Sequence, residues 1–326
     1  MKRLTLLLVV VLGVGGVQAA QRWIEPETRF STYFGGEDSE MIDSDFHVLA
    51  VDVQGYVWLI GNTWSYNTDF PIVDPLWPDA LSYGFVARFS PDGELVMSTM
   101  IGQYNIFSGC TPHDICALQD GGVVIIGDSL DTAFPMVNPN PQYIGGGYDA
   151  FIIRLGPDGR EVVFATLFGG PGWDQGYRIA ESPDGCLWIA GEPSRDFPLV
   201  NPVQEDFGWL FVAKLSGEAS ECLFSSYFGN SYPIELRAFA ATPAGGARLA
   251  GYPVVTSDFP LWNPYSGPVG EYDAFIAGFD VNGTLEFSTL FGTVEGGIGI
   301  LSLAVESGGD FWVAGSTIHD DLIYCA

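Results

Sequence analysis

Four side chains with chemical capacity recur at one position of the 326-residue chain: His47, Asp114, Tyr177 and Arg237, with Leu301 in fifth place. Each stands three residues before an alanine, at Ala50, Ala117, Ala180, Ala240 and Ala304. An imidazole, a carboxylate, a phenol and a guanidinium varying over a constant neighbourhood is what a ligand-binding mouth requires. It is also what unconstrained surface looks like. The Arg237 fork suits a planar oxyanion of a ligand, or an ordinary ion pair with a neighbouring carboxylate. A second group, Glu37, Asp38, Glu40, Asp43 and Asp45, offers hard oxygen ligands, with Asp38, Asp43 and Asp45 the candidates for Ca²⁺. It lacks the order of an EF-hand loop, and a solvated acidic loop is the competing reading. No H-E-x-x-H, G-x-S-x-G or G-x-x-x-x-G-K-[ST] occurs, and there are three histidines to serve as general bases. The abundant carboxylates suit glycoside chemistry in kind, but spacing along a chain does not set the distance between two of them.

The elements that must position these residues are repeated. Aligned on a glycine that ends an apolar run, Gly35, Gly102, Gly169, Gly229 and Gly292 are separated by 67, 67, 60 and 63 residues. That period accommodates four short strands. Tyr148–Gly170 shows one half of the unit, two apolar runs on either side of Gly156-Pro157-Asp158-Gly159 that read as a β-hairpin. The other half is a strand pair across a glycine turn, at 48–61, 115–127, 178–191, 238–251 and 302–315. Its second strand is apolar on both faces: Leu59, Ile125, Ile189, Leu249 and Val313 on one, Trp58, Val124, Trp188, Arg248 and Trp312 on the other. Both sides of each sheet must therefore be covered. Four antiparallel strands per unit, repeated in a ring, define a β-propeller blade. The expectation is an all-β propeller of five four-stranded antiparallel blades spanning residues 21–326. Phe30–Phe34 pairs with Leu322–Ala326 so that both termini complete the last blade; a fragment of a larger ring is the rival reading.

The run Y-D-A-F followed by a glycine turn and S/A-T-x-F-G-G, with D-F-P at Asp69–Pro71, Asp196–Pro198 and Asp258–Pro260, resembles the SBBP-type bacterial β-propeller repeat. The resemblance covers nearly all of residues 30–326. It implies an exported propeller, often one module of a larger surface or secreted protein, and says little about activity. The family name implies seven blades where five copies stand here; Ser216-Gly217-Glu218-Ala219 replaces one turn, and the fifth copy lacks D-F-P.

Met1-Lys2-Arg3, the apolar run to Val17 and Ala19-Ala20 read as a cleavable secretory signal over residues 1–20. Its loss removes two of the 12 basic residues against 40 acidic ones, taking the formal charge from −28 to −30. Such a surface repels nucleic acid and anionic membranes. A content of 47% hydrophobic and 14% aromatic residues argues against disorder. Of the five cysteines, Cys110 and Cys116 are spaced to close a small loop, while Cys186 and Cys222 suit buried strand positions. These features together point to a monomeric, secreted, periplasmic or surface-bound module. It binds an extracellular protein or glycan through the loop-rich face, without catalysis and without an obligatory cofactor. The alternative is a secreted propeller hydrolase or lyase with acidic side chains at the channel mouth. Intact-mass measurement of exported material checks the first step: the expected product begins at Gln21.

Overall fold

The computed structural model describes residues 32–36, 40–41, 48–64, 69–102, 109–130, 134–141, 146–253, 259–264, 274–291 and 298–317. These residues form strands and loops with no helix, so none is long and apolar enough to cross a membrane. The first sheet contains β1 (Glu40–Met41), β2 (Leu49–Val51), β3 (Val57–Thr63), β4 (Gly84–Phe89) and β5 (Leu95–Met100). Three four-stranded antiparallel meanders follow. They are β6 (Cys110–Ala117) to β9 (Val162–Phe168) through β7 (Val123–Ser129) and β8 (Asp149–Leu155); β10 (Gln175–Glu181), β11 (Leu187–Glu192), β12 (Leu210–Leu215) and β13 (Cys222–Phe228); and β14 (Ile234–Ala241), β15 (Ala247–Pro253), β16 (Ala274–Phe279) and β17 (Leu285–Phe291). The fifth sheet shows β18 (Ile298–Val305) and β19 (Phe311–Thr317). Each sheet's first long strand packs on the next one's: β2 on β6, β6 on β10, β10 on β14, β14 on β18. Antiparallel blades whose first strands line a common axis make a β-propeller.

The repeated motif is the junction between blades. The D-F-P phenylalanines Phe70, Phe134, Phe197 and Phe259 are buried against the third-strand phenylalanines Phe85, Phe151, Phe211 and Phe275, with ring centroids 5.0, 5.6, 4.5 and 5.2 Å apart. Phe168 and Phe228, from the preceding blade's outer strand, close the cluster at 5.5 and 5.7 Å from Phe197 and Phe259. The same loop then pairs by Val73, Val137, Val200 and Trp262 with Ser98, Ala165, Ser225 and Ser288 of the outer strand, covering its edge. Ser98, Ser225 and Ser288 donate their hydroxyls to the carbonyls of Pro71, Pro198 and Pro260. The turn beyond requires positive φ, supplied by Asp74, Asn138, Asn201 and Asn263 at 43–50°. Asp and Asn tolerate this region better than other side-chain-bearing residues.

A second set of contacts pins each blade to the next. The side chains of Arg88, Arg154 and Lys214, on the third strands, donate two kinds of hydrogen bond: to Asp52, Asp120 and Asp184 in their own blade's first turn, and to the carbonyls of Asp158, Gly217 and Val281 in the following blade. In the fourth blade the equivalent position is Gly278 and the cation comes from Arg248 on the second strand. A Cβ on Gly278 would lie 2.6 Å from the Arg248 guanidinium, which sits over Phe287 and pairs with Glu286. Trp58 and Trp188, on the same face, are 0% exposed, and Trp188 donates to Gly245 O of the next blade.

The two ends of this arc are uncovered among the described residues. Leu49 of β2 is 40% exposed, where the corresponding Ile115 and Ile179 are buried, and Val51 is 54% exposed, where Ala117 and Glu181 are half-buried. At the other end Trp312 is 59% exposed, with its indole donating to Glu306. Phe34 packs on Phe70, Phe85 and Phe89 as Phe228 packs on the blade that follows it. Residues 30, 31 and 322–326, on which the expected terminal pairing falls, lie outside the described residues, as does the leader.

Two cysteine expectations are corrected. Cys186 lies half-exposed in the turn before β11 and not at a buried strand position. Cys110 and Cys116 stand at opposite ends of the extended strand β6, which holds their Cα atoms far beyond disulfide reach. Both are free thiols, as are Cys186 and Cys222. Burial pushes Cys116 and Cys222 up to about 11, so neither is a thiolate nucleophile at neutral pH. Trp188→Ala should cost about 3–5 kcal/mol in denaturant unfolding, since it empties a fully buried interblade site.

Candidate functional site

The loops before each first strand and after each second strand emerge on one face, and the side chains there are aimed by a repeated irregularity. Each described first strand from β6 onwards has a register shift against its neighbour, between Pro112 and Asp114, Gly176 and Arg178, Leu236 and Ala238, and Ile300 and Ser302. Such β-bulges turn one residue out of the ladder and are frequent beside functional sites. The bulged residues are His113, Tyr177, Arg237 and Leu301.

Tyr177 and Arg237 therefore stand at the expected position, whereas Asp114 does not. Ala180 lies opposite Trp188 and Ala240 opposite Arg248, but the partner of Val124 is Cys116, not Ala117. Counting back from Ala117 reaches one residue too far along, and His113 holds the bulge. Asp114 instead matches Arg178 of the next blade and is buried. Its two carboxylate oxygens accept the N–H groups of Ile115 and Ile179, each at 2.9 Å, joining two blades. His47, Asp38, Asp43 and Asp45 lie outside the described residues. No group of three or more potential metal ligands occurs among the described ones.

Around the mouth, three of the four bulged residues, His113, Tyr177 and Arg237, meet the residue after the second strand's closing glycine. His113 Nε2 is 2.8 Å from Asp128 Oδ1, and its Nδ1 is 2.9 Å from the carbonyl oxygen of Gly176, which can only accept. Tyr177 OH donates within reach of Gln175 Oε1 at 2.8 Å and Glu192 Oε2 at 3.0 Å. Arg237 is held by Glu235 and the Tyr252 hydroxyl, and Tyr252 OH donates to Glu235 at 2.6 Å. The His113 and Tyr177 rings are 5.6 Å apart, and Arg178 donates to Arg237 O at 3.1 Å. Asp128, Glu192 and Tyr252 were not singled out in the sequence; their signal is their place directly after Gly127, Gly191 and Gly251. Those glycines are fixed by close approach: a Cβ at Gly191 would lie 1.8 Å from Gln175 O.

Beside this network Leu130, Tyr148, Trp173, Gln175 and Glu192 line a cleft of about 340 Å³. Trp173 is 72% exposed and tilts toward Tyr148 at 5.9 Å between centroids. Burial, followed by the charge of Asp128, raises the Tyr148 phenol, and burial followed by Glu192 raises that of Tyr177, so both are hydrogen-bond donors at neutral pH. Burial also raises Glu192, opposed by donors on Tyr177 and Trp209. The arrangement offers an exposed aromatic platform bordered by a carboxylate, an amide and two phenols.

The fold and this mouth define the protein as a β-propeller with a polar, aromatic site on its loop-rich face. No family model matches the chain, and no curated protein matches it. Among solved structures it is similar to a gluconolactonase from Xanthomonas campestris at 15% identity and a TM-score of 0.40, over 82% of this chain and 68% of that one. A Hadza microbial sialidase shares 13% identity at 0.43, over 84% and 52%. The calcium-binding regucalcin of Agrobacterium tumefaciens shares 11% at 0.39, over 88% and 73%. Nothing about this chain's chemistry follows from such likenesses.

Burial pushes the Asp114 carboxyl up to about 7 from 3.8, against the opposing pull of Arg178, the Ile179 and Ile115 N–H groups and His113. Between these values the folded chain keeps a proton that the unfolded chain has released. Stability should therefore fall as pH rises from about 4 to about 7 and level off above, with a slope of up to about 1.4 kcal/mol per pH unit from this group. Comparing the parent with Asp114→Asn by denaturant unfolding across that range isolates the contribution, and parallel curves would remove it.

Proposed function

We propose that this protein is an exported, non-enzymatic binding module that takes an extracellular glycan on its loop-rich face. The observation that carries the reading is Trp173, a large indole 72% exposed at the rim of a cleft with Tyr148, Gln175 and Glu192. An aromatic face covers the apolar side of a sugar ring, while amide, carboxylate and phenol groups match its hydroxyls. The same reading takes the repeats to be of the SBBP type and the mature chain to be secreted, periplasmic or held at the cell surface as a monomer. Any Ca²⁺ is assigned to Asp38, Asp43 and Asp45.

The finer architecture belongs to this reading too. Five blades close into a ring when the Leu49 face of the first meets the Trp312 face of the last, since Ile115, Ile179 and Phe239, the counterparts of Leu49, are buried, as are Trp58, Val124 and Trp188, those of Trp312 in the first three blades. Phe30–Phe34 then serves as the outer strand of the last blade and Leu322–Ala326 as its third, and the contacts of Phe34 with Phe70 and Phe85 support that placement. Deleting Asp321–Ala326 should lower Tm and promote association; an unchanged melting curve in a monomeric product counts against closure.

The observation that favours a hydrolase or lyase is the His113–Asp128 pair, with the Tyr177 ring beside it. Both members are buried and the histidine's second nitrogen is taken by Gly176 O, which removes it from contact with a polymer. A glycan screen of the mature chain, read by both binding and product release, tests the two readings. Binding without turnover is expected, with Trp173→Ala losing about tenfold or more in affinity at unchanged Tm. Turnover abolished by His113→Ala would overturn the non-enzymatic assignment.

A further inference from the structure

Among the described residues the bulged side chains of the mouth meet three carboxylates, and their surroundings differ. Asp128 faces the His113 imidazole, and Glu235 holds Arg237. Glu192 is met by the neutral donors of Tyr177 and Trp209, and no cation among the described residues pairs with it. It is half-buried and lines the cleft together with the π faces of Trp173 and Tyr148 and the apolar Leu130. A carboxylate without a counter-ion costs desolvation that an incoming cation relieves. Two electron-rich ring faces beside it attract the same charge. The long-range field acts in the same sense: 40 acidic against 12 basic side chains draw cations toward the surface and repel anions.

Resting on the glycan reading above, we infer that the cleft selects a sugar bearing a free ammonium group, an amino sugar with its nitrogen unacylated. The ammonium sits against Glu192, the ring lies on Trp173, and Gln175 and Tyr148 take up hydroxyls. An N-acylated sugar presents a neutral amide in place of the charge and leaves Glu192 without its ion. A uronate brings a second carboxylate to a site that already carries one.

Titration calorimetry with a glucosamine oligomer, the matching N-acetylglucosamine oligomer and a glucuronate-containing oligomer tests this on the full mature chain. The glucosamine oligomer is expected to bind about tenfold or more tightly than the acetylated one, and the uronate not measurably. Glu192→Gln keeps the shape of the side chain and should abolish the preference at unchanged Tm. Glu94→Gln, which removes one negative charge from an exposed turn outside the cleft, should leave the preference intact. Equal affinity for the two glucosamine forms, or a preference that survives Glu192→Gln, overturns the ammonium assignment while the glycan reading stands. Failure of every oligosaccharide to bind removes both.

Discussion

The structure depends on rings interlocked at the blade junctions: a phenylalanine from the D-F-P-type loop, one from the third strand of the same blade, and an apolar side chain from the end of the outer strand of the blade before, Phe168 and Phe228 at two junctions and Ile101 at another. A four-stranded sheet with apolar residues on both faces is unstable alone, and each of these rings is buried through contributions from two blades. Phe197 against Phe211 at 4.5 Å, with Phe168 at 5.5 Å, is the tightest described case. Full burial of a phenylalanine contributes about 1.5–3 kcal/mol, so a junction of three such rings rivals the net stability of a small domain. Everything at the mouth is held from below by these contacts. The bulged residues of adjacent first strands meet only because the blades behind them are locked at a fixed spacing.

Much of this was legible in the chain. Proline, aspartate and phenylalanine repeat at fixed distance because one loop does three things at once, burying a ring, covering a strand edge and turning through positive φ at Asn201 and its counterparts. The alternation between S and A in S/A-T-x-F-G-G has a physical reason as well: the serine hydroxyl reaches a proline carbonyl, while Ala165 keeps the backbone bridge without it. The register of the second blade was less legible. Ala117 imitates the repeated small residue, but the turn at Asp120-Gly121-Gly122 is as long as its counterparts, so Cys116 faces Val124 and Ala117 stands one place nearer the turn, opposite Val123. A single-residue offset exchanges a bulged side chain for a buried one, which is how Asp114 and His113 trade roles.

The mouth was legible in position and not in partners. Tyr177 and Arg237 stand where the repeat places them, yet the groups that define their chemistry come from the end of the second strand. Asp128, Glu192 and Tyr252 look in the sequence like ordinary loop starts after a glycine. They become site residues because antiparallel pairing brings the beginning of one strand beside the end of the next, with Gln175 opposite Glu192 and Glu235 opposite Tyr252. Sequence separation hides this, since Tyr177 and the Glu192 that accepts its hydrogen bond are 15 positions apart.

The exchange between Arg248 and Gly278 bears on how such a chain grows and diverges. Interior blades take their cation from the third strand and a tryptophan or valine from the second; the fourth reverses both, and neither half of the reversal works alone. A third-strand arginine opposite Arg248 would set two guanidiniums in one slot, and Gly278 opposite a tryptophan would leave the facing turn without its pin. Gene duplication can copy a blade, but the copy fits only where its neighbour presents the matching turn and carbonyl. The exchange itself lies inside one repeat, so recombination at repeat boundaries carries Arg248 and Gly278 together and parts only a cation from the turn carbonyl that it pins across the seam.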